Sequence, residues 1–378
     1  MAEKKTKQKH NYTFYGQNTN AEELKDFLLH IFNVNRTCEE EGRKKTPICI
    51  WGTHGIGKTH SVEQVAKENG YQFTYIAPAQ FEEMGDLLGM PKIIEKDGVT
   101  VTEIVAPDWV PKTEGPGVLL IDDVNRADIR ILRGIMQLLQ NYELVSWKLP
   151  KGWEIVLTAN PDGGDYSVTP MDDAMITRML HVTMQFDVKQ WALWAEKNGV
   201  DERGINFILT YPELVTGERT TPRSLVQFFE TIKPIKDLEK EISLVAMLAH
   251  SCFERETVTS FISFIQNNLS KLITPEEIIN SKKFEKDVQG SIKNLVCKGE
   301  TKRVDILSVL CTRVVNYIKT NDVKLSTDQV KNVKQFIKMD FLPNDMRLIM
   351  AQDLIKVNAS TKMIMADPEI GKMLLTKM

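Results

Sequence analysis

Residues Gly52-Thr53-His54-Gly55-Ile56-Gly57-Lys58-Thr59 satisfy the pattern G-x-x-x-x-G-K-[ST]. Glycines at these positions let backbone amides curl around phosphate oxygens, and a helix that follows points its positive N-terminus at them. Lys58 is placed to reach the β- and γ-phosphates of a nucleotide, the Thr59 hydroxyl to bind Mg2+, and His60 to line the start of the helix. A second constellation, Val118-Leu-Leu-Ile-Asp122-Asp123, is an apolar run ending in two acids. Strands of open α/β sheets present ligand groups at their C-terminal ends, so Asp122 is a candidate Mg2+ ligand and Asp123 a candidate base for an attacking water. Asn160 ends the run EIVLTA, where a polar side chain can hold such a water; standing alone before Pro161 it also fits an ordinary turn. Arg178 in DAMITR and Arg223 in TTPR complete the set. In a first helical turn Arg223 opposes the helix dipole by about 0.5 kcal/mol, which weakens a purely structural explanation.

Positioning these groups requires particular elements. Thr46–Trp51 is a short apolar run that ends on glycine, and Ser61–Asn69 is a helical stretch stopped by Gly70. Tyr71–Ala77, Val118–Ile121 and Glu154–Ala159 are predicted strands, and Ile129–Tyr142 a helix. Alternation of this kind predicts a parallel sheet covered by helices. Between the second strand and Val118, Asp97-Gly98 separates two β-prone runs (93–102) and predicts a type I′ hairpin. A second short hairpin is expected over Glu143–Leu149. Beyond Phe186 the pattern is helical, with capping-box starts at Thr274 and Ser326.

Composition limits the function classes. The chain has 378 residues, 48 Lys plus Arg against 51 Asp plus Glu, and a net charge of −3. That balance argues against a globally basic nucleic-acid binder, although the first ten residues carry a local +3. Five scattered cysteines form no Cys-x-x-Cys, so a disulfide framework or zinc ribbon is not expected. With no apolar leader and no bilayer-length apolar run, a cytoplasmic protein with no membrane partner is expected.

In order along the chain, the phosphate loop, Asp122-Asp123-Val-Asn-Arg-Ala127, Thr-Ala-Asn160-Pro, Arg178 and Pro-Arg223 resemble the AAA+ ATPases, most closely the MoxR group. Asp86-Leu-Leu-Gly-Met-Pro91, Pro107-Asp-Trp-Val-Pro111 and Gly115-Pro-Gly-Val118 are also similar to that group, and the Asp97-Gly98 hairpin matches the helix-2 insertion of its wider clade. The likeness covers about residues 20–235. It implies a P-loop NTPase core, ATP and Mg2+ as cofactors, Asn160 as sensor 1, Arg178 as the finger completing a neighbouring subunit's site, and Arg223 as sensor 2. It further implies a homo-oligomeric ring, usually a hexamer, that remodels protein partners, often with a von Willebrand A domain protein. The two hairpins would then face substrate or partner.

The expected organisation is a basic polar tail (1–19), a nucleotide-binding α/β domain (20–186), a helical lid (187–270) and a helical C-terminal extension (271–378). One departure from the family pattern stands out: its usual glutamate after the Mg2+-binding aspartate is Asp123 here. Losing a methylene retracts the carboxylate by about a bond length, while a general base needs ~2.6–3.2 Å contact. An ATP-binding switch with weak hydrolysis is therefore a second reading. A nucleic-acid motor of the MCM type is a third, opposed by the net charge and by the lack of a basic-aromatic run over 21–186.

Overall fold

A computed structural model describes residues 13, 15–161, 168–216, 218–267, 269–297, 302–321, 325–357 and 359–375. The chain divides into two compact units, Met1–Phe186 and Asp187–Met378.

In the first unit β1 (Gln17–Thr19) leads into α1 (Ala21–Glu40), capped by a reciprocal Asn20–Glu23 box, and then β2 (Ile48–Trp51) and α2 (Lys58–Glu68). After β3 (Gln72–Ile76) come α3 (Met84–Leu88), the hairpin β4 (Met90–Lys96) and β5 (Val99–Val105), and β6 (Gly117–Ile121). The unit closes with α4 (Ile129–Asn141), β7 (Trp153–Ala159), α5 (Asp173–Ile176) and β8 (Leu180–Met184). Six strands form one sheet in the order β1-β8-β2-β7-β6-β3, every pairing parallel.

Both faces of this sheet are covered, which is why its strands are continuous apolar runs. Ile48, Ile50, Val118, Leu120 and Val156 pack on Leu24, Leu28 and Phe32 of α1 and Val62, Val65 and Ala66 of α2. Their alternates Cys49, Trp51, Leu119, Ile121, Ile155 and Leu157 pack on Ile131, Leu132, Ile135 and Leu138 of α4. Each such buried aliphatic side chain contributes about 1.5–3 kcal/mol. Gly117 is required by space: a Cβ there would lie 2.5 Å from the Trp153 indole.

The β4–β5 ribbon pairs from Met90↔Val105 to Lys96↔Val99, and Asp97 (φ 54°) and Gly98 (φ 77°) make the expected left-handed turn. An isolated ribbon is marginal in water, so its root has to be held. The carbonyls at the end of α3 do this: Trp109 Nε1 donates to Asp86 O (3.1 Å), Trp147 Nε1 to Leu87 O (3.0 Å), and Ser146 Oγ to Leu88 O. The segment 143–149 therefore serves as a buttress. The short hairpin expected there forms around the antiparallel bridge Glu143↔Lys148, with Leu144 N donating to Trp147 O (2.8 Å) and Leu149 N to Tyr142 O (2.9 Å), and it turns Leu144, Trp147 and Leu149 inward to the core.

Gln17–Thr19, grouped by composition with the polar tail, is instead an edge strand on β8. Residues 1–12 lie outside the described residues.

The second unit is helical among its described residues. α6 (Val188–Lys197), α7 (Glu202–Thr210), α8 (Pro222–Ile232), α9 (Ile242–Cys252) and α10 (Arg255–Gln266) are followed by α11 (Pro275–Asn280), α12 (Gly290–Val296) and α13 (Val304–Asn321). α14 (Thr327–Ile337), α15 (Asn344–Ile355), α16 (Ala359–Met365) and α17 (Pro368–Leu375) follow. The capping boxes at Thr274 and Ser326 form as expected. Buried Arg313 on α13 donates to Glu196 (2.7 Å), Glu202 (3.0 Å) and Asn206 (3.2 Å). Residues before and after position 270 are thereby locked into one body. Trp191 is buried on α6 against Phe229 of α8.

Candidate nucleotide site

β2 ends at Trp51 and the chain turns through the phosphate loop into α2. Gly52, Gly55 and Gly57 all have positive φ (156°, 73° and 97°), a conformation that non-glycine residues adopt only at a cost. Gly57 is the left-handed N-cap of α2, so no side chain caps the helix and its first amides stay turned to the loop. Thr53, His54, Gly55 and Ile56 line the bend half-buried, and His60 is exposed within the first turn of the helix.

Lys58, only 6% exposed, lies inside this loop. Its Nζ donates to Gly52 O (2.7 Å), Thr53 O (3.0 Å) and Asn160 Oδ1 (3.2 Å). Thr59 Oγ1 donates to Asp122 Oδ1 at 2.7 Å, bringing the loop hydroxyl and the acid at the end of β6 together. Thr158 Oγ1 donates to the same oxygen at 2.7 Å and accepts from the Asp123 amide at 2.8 Å. Tyr75 OH reaches Asp122 Oδ2 at 3.2 Å. Hydroxyl and carboxylate oxygens converging at the phosphate loop suit Mg2+, which takes one or two protein oxygens and completes its shell with phosphates and water. Among the described residues no group of three or more His, Cys, Asp or Glu gathers as an alternative metal site.

Asp123 has a left-handed backbone (φ 48°), tolerated by Asp better than by most residues. Asn160 Nδ2 donates to its Oδ1 at 2.9 Å, and Arg126 Nε sits 3.4 Å from Oδ2. Both oxygens of the candidate base are thus engaged. Asn160 is fixed in turn by Asn125, whose Nδ2 donates to Asn160 O (2.8 Å) and whose Oδ1 accepts from Asn160 N (3.1 Å). A side-chain amide here copies one rung of a backbone ladder, leaving no buried backbone group of Asn160 unsatisfied.

The sheet register therefore brings together Lys58, Thr59, Asp122, Asp123 and Asn160. Arg178 stands apart on the turn between α5 and β8, donating to Ala174 O and Gln140 Oε1 (3.3 Å). Arg223 lies in the second unit, exposed in the first turn of α8. Its helix start is held by the Thr221–Ser224 box, and the preceding loop by Glu254, which accepts from the Arg219 and Thr220 amides.

Thr158, Tyr75 and Asn125 join the site without a motif of their own in the sequence. Thr158 carries the clearest signal, a polar residue in an otherwise apolar run two positions before Asn160, hence on the same face. Asn125 sits within the Asp122–Ala127 motif, but a backbone-mimicking role has no pattern of its own. Tyr75 carried no signal.

No protein-family model and no curated protein matches the chain. Among solved structures it is similar to a mutant of RuvB from Thermotoga maritima (12% identity, TM-score 0.38, 76% of this chain and 88% of that one). A protein of Cytophaga hutchinsonii described as an ATPase is similar at 13% identity and TM-score 0.33, over 85% of this chain and 90% of that one. Hsp104 with ATPγS and casein is similar at 13% identity and TM-score 0.36, over 59% of this chain and 47% of that one. Among the described residues, no helix is long and apolar enough to cross a membrane.

Proposed function

We propose that this chain is an AAA+ ATPase of the MoxR type, binding Mg-ATP and hydrolysing it to remodel or activate a protein partner. The observation that carries the reading is the convergence of Lys58, Thr59, Asp122, Asp123 and Asn160 at the C-terminal ends of parallel strands beside a glycine loop. Lys58 moves from the Gly52 and Thr53 carbonyls to the β- and γ-phosphates, exchanging neutral acceptors for charged ones. Thr59 and Asp122 are the residues that would hold Mg2+, which when bound would supply positive charge to the phosphate oxygens. Losing Lys58 frees Asn160 Oδ1 to accept from a water; Asp123 takes that water's proton as its oxygen bonds to the γ-phosphorus and the bond to the β-phosphate oxygen breaks, releasing ADP and phosphate.

Arg178 is the finger offered to a nucleotide bound by a neighbouring copy, and Arg223 the sensor 2 arginine. The active form is accordingly a ring, a hexamer by family likeness, with 187–270 as lid and 271–378 as its extension. A von Willebrand A domain protein is the partner that the resemblance favours. ATP turnover by the purified protein, abolished in Lys58→Ala, tests the proposal. Absence of both ATP binding and turnover, across concentrations and with candidate partners, would refute it.

The engagement of both Asp123 oxygens supports a second reading, an ATP-gated switch with slow hydrolysis. Tight nucleotide binding with negligible single-turnover hydrolysis would favour it over the first.

A further inference from the structure

His181 on β8 belongs to neither motif, yet it links them. Its side chain lies diagonally across from Trp51, the last residue of β2, which pairs with Thr183 in the parallel register. Trp51 Nε1 and His181 Nδ1 are 3.0 Å apart, and His181 Nε2 and Ile176 O are 2.7 Å apart. An indole nitrogen can only donate, and a carbonyl oxygen can only accept. Nδ1 must therefore be the acceptor and Nε2 must carry the proton, so the two neighbours fix the tautomer. The ring is held from the side by Tyr15, with centroids 5.6 Å from His181 and 4.8 Å from Trp51.

The two ends of this relay are telling. Trp51 directly precedes Gly52, whose carbonyl holds Lys58. Ile176 belongs to the tight turn that presents Arg178: Arg178 N donates to Met175 O (3.1 Å) and Met179 N to Ile176 O (3.2 Å). Among the described residues, the Arg178 side chain is held only by Ala174 O and Gln140, at the protein surface.

We propose that His181 is a positioning residue, a fixed-tautomer strut that ties the strand launching the phosphate loop to the turn that presents Arg178. The inference rests on the ATPase reading, in which Arg178 acts on a nucleotide bound by a neighbouring copy. A displacement of the loop on one copy then reaches, through a single imidazole, the arginine that the same copy offers to the next site.

The test is a mutant cycle on the full-length protein. His181→Phe keeps an aromatic ring and removes both hydrogen bonds. It is expected to lower kcat for ATP about three- to tenfold while leaving the Kd of a fluorescent ATP analogue within about twofold, and to do nothing further in an Arg178→Ala background. His181→Gln, whose amide can still donate to Ile176 O, is expected to recover most of the loss. Equal fractional losses with and without Arg178, or weakened nucleotide binding at unchanged kcat, would overturn the proposal.

A second arm needs no turnover. Nitrogen-15 NMR of labelled histidine is expected to show His181 protonated on Nε2, with the Trp51 indole proton exchanging faster in His181→Phe. Protonation on Nδ1 would refute the strut itself. If the unaltered protein shows this tautomer yet never hydrolyses ATP, the ATPase reading has failed, and the strut's role towards Arg178 falls with it.

Discussion

Glu154→Gln should make the protein more stable, and only at high pH. Glu154 enters β7 at the end of the sheet opposite the phosphate loop and is 3% exposed. Asn35 Nδ2 donates to its Oε2 at 2.7 Å, while the nearby Lys45 is spent on Glu39 (2.9 Å) and on Trp153 O (2.8 Å). Burial outweighs these partners and pushes the carboxyl from 4.5 up to about 7. The native state therefore retains a proton between pH ~4.5 and ~7 that the unfolded chain has lost. Stability from this group is full below the unfolded value and is lost as pH rises through the folded one. The shift corresponds to roughly 3 kcal/mol, of which about 2.5 accrues between pH 5 and pH 8. Gln keeps an oxygen for Asn35 and cannot ionise. Urea denaturation followed by tryptophan emission is expected to show variant and wild type within about 1 kcal/mol at pH 5, and the variant ahead by about 2–3 kcal/mol at pH 8. An identical difference at both pH values would refute the reasoning.

Three further outcomes follow from the site and the sheet. Asp123→Asn is expected to keep ATP binding and lose about 10²–10⁴-fold in single-turnover hydrolysis; a rate equal to wild type would remove Asp123 as the base. Asn125→Ala leaves the Asn160 amide and carbonyl buried without partners and should cost about 2–4 kcal/mol in denaturant melts, with turnover falling alongside. Gly117→Ala drives a methyl into the Trp153 ring and should cost about 1–3 kcal/mol, with a changed Trp153 environment visible in near-UV circular dichroism.

What could be read from the sequence was what is local. The phosphate loop is a contiguous string because one strand, one turn and one helix start must be consecutive. The continuous apolar runs of β2, β6 and β7 are equally direct, since each strand is buried on both faces. β1 could not be read this way: three residues, Gln17–Thr19, have no period to detect and exist as a strand only because β8 supplies the ladder. The short hairpin at 143–149 is legible, but its anchoring role is hidden for a related reason. Its apolar residues alternate weakly, but Trp147 and Ser146 are spent on α3 carbonyls distant in sequence. The pairing of Asp123 with Arg126 also escaped, because it depends on a left-handed backbone that residue type permits without dictating.

The Asn125–Asn160 rung has a consequence for how this protein can vary. A planar amide offers a donor and an acceptor side by side, and among the other side chains only glutamine does the same. A single base change in an asparagine codon yields Asp, His, Tyr, Lys, Ile, Thr or Ser, and never glutamine. None of these meets the amide and the carbonyl of Asn160 together. Every single-base change at the position beside the proposed water-holding residue therefore costs the strand end at least one of these two hydrogen bonds.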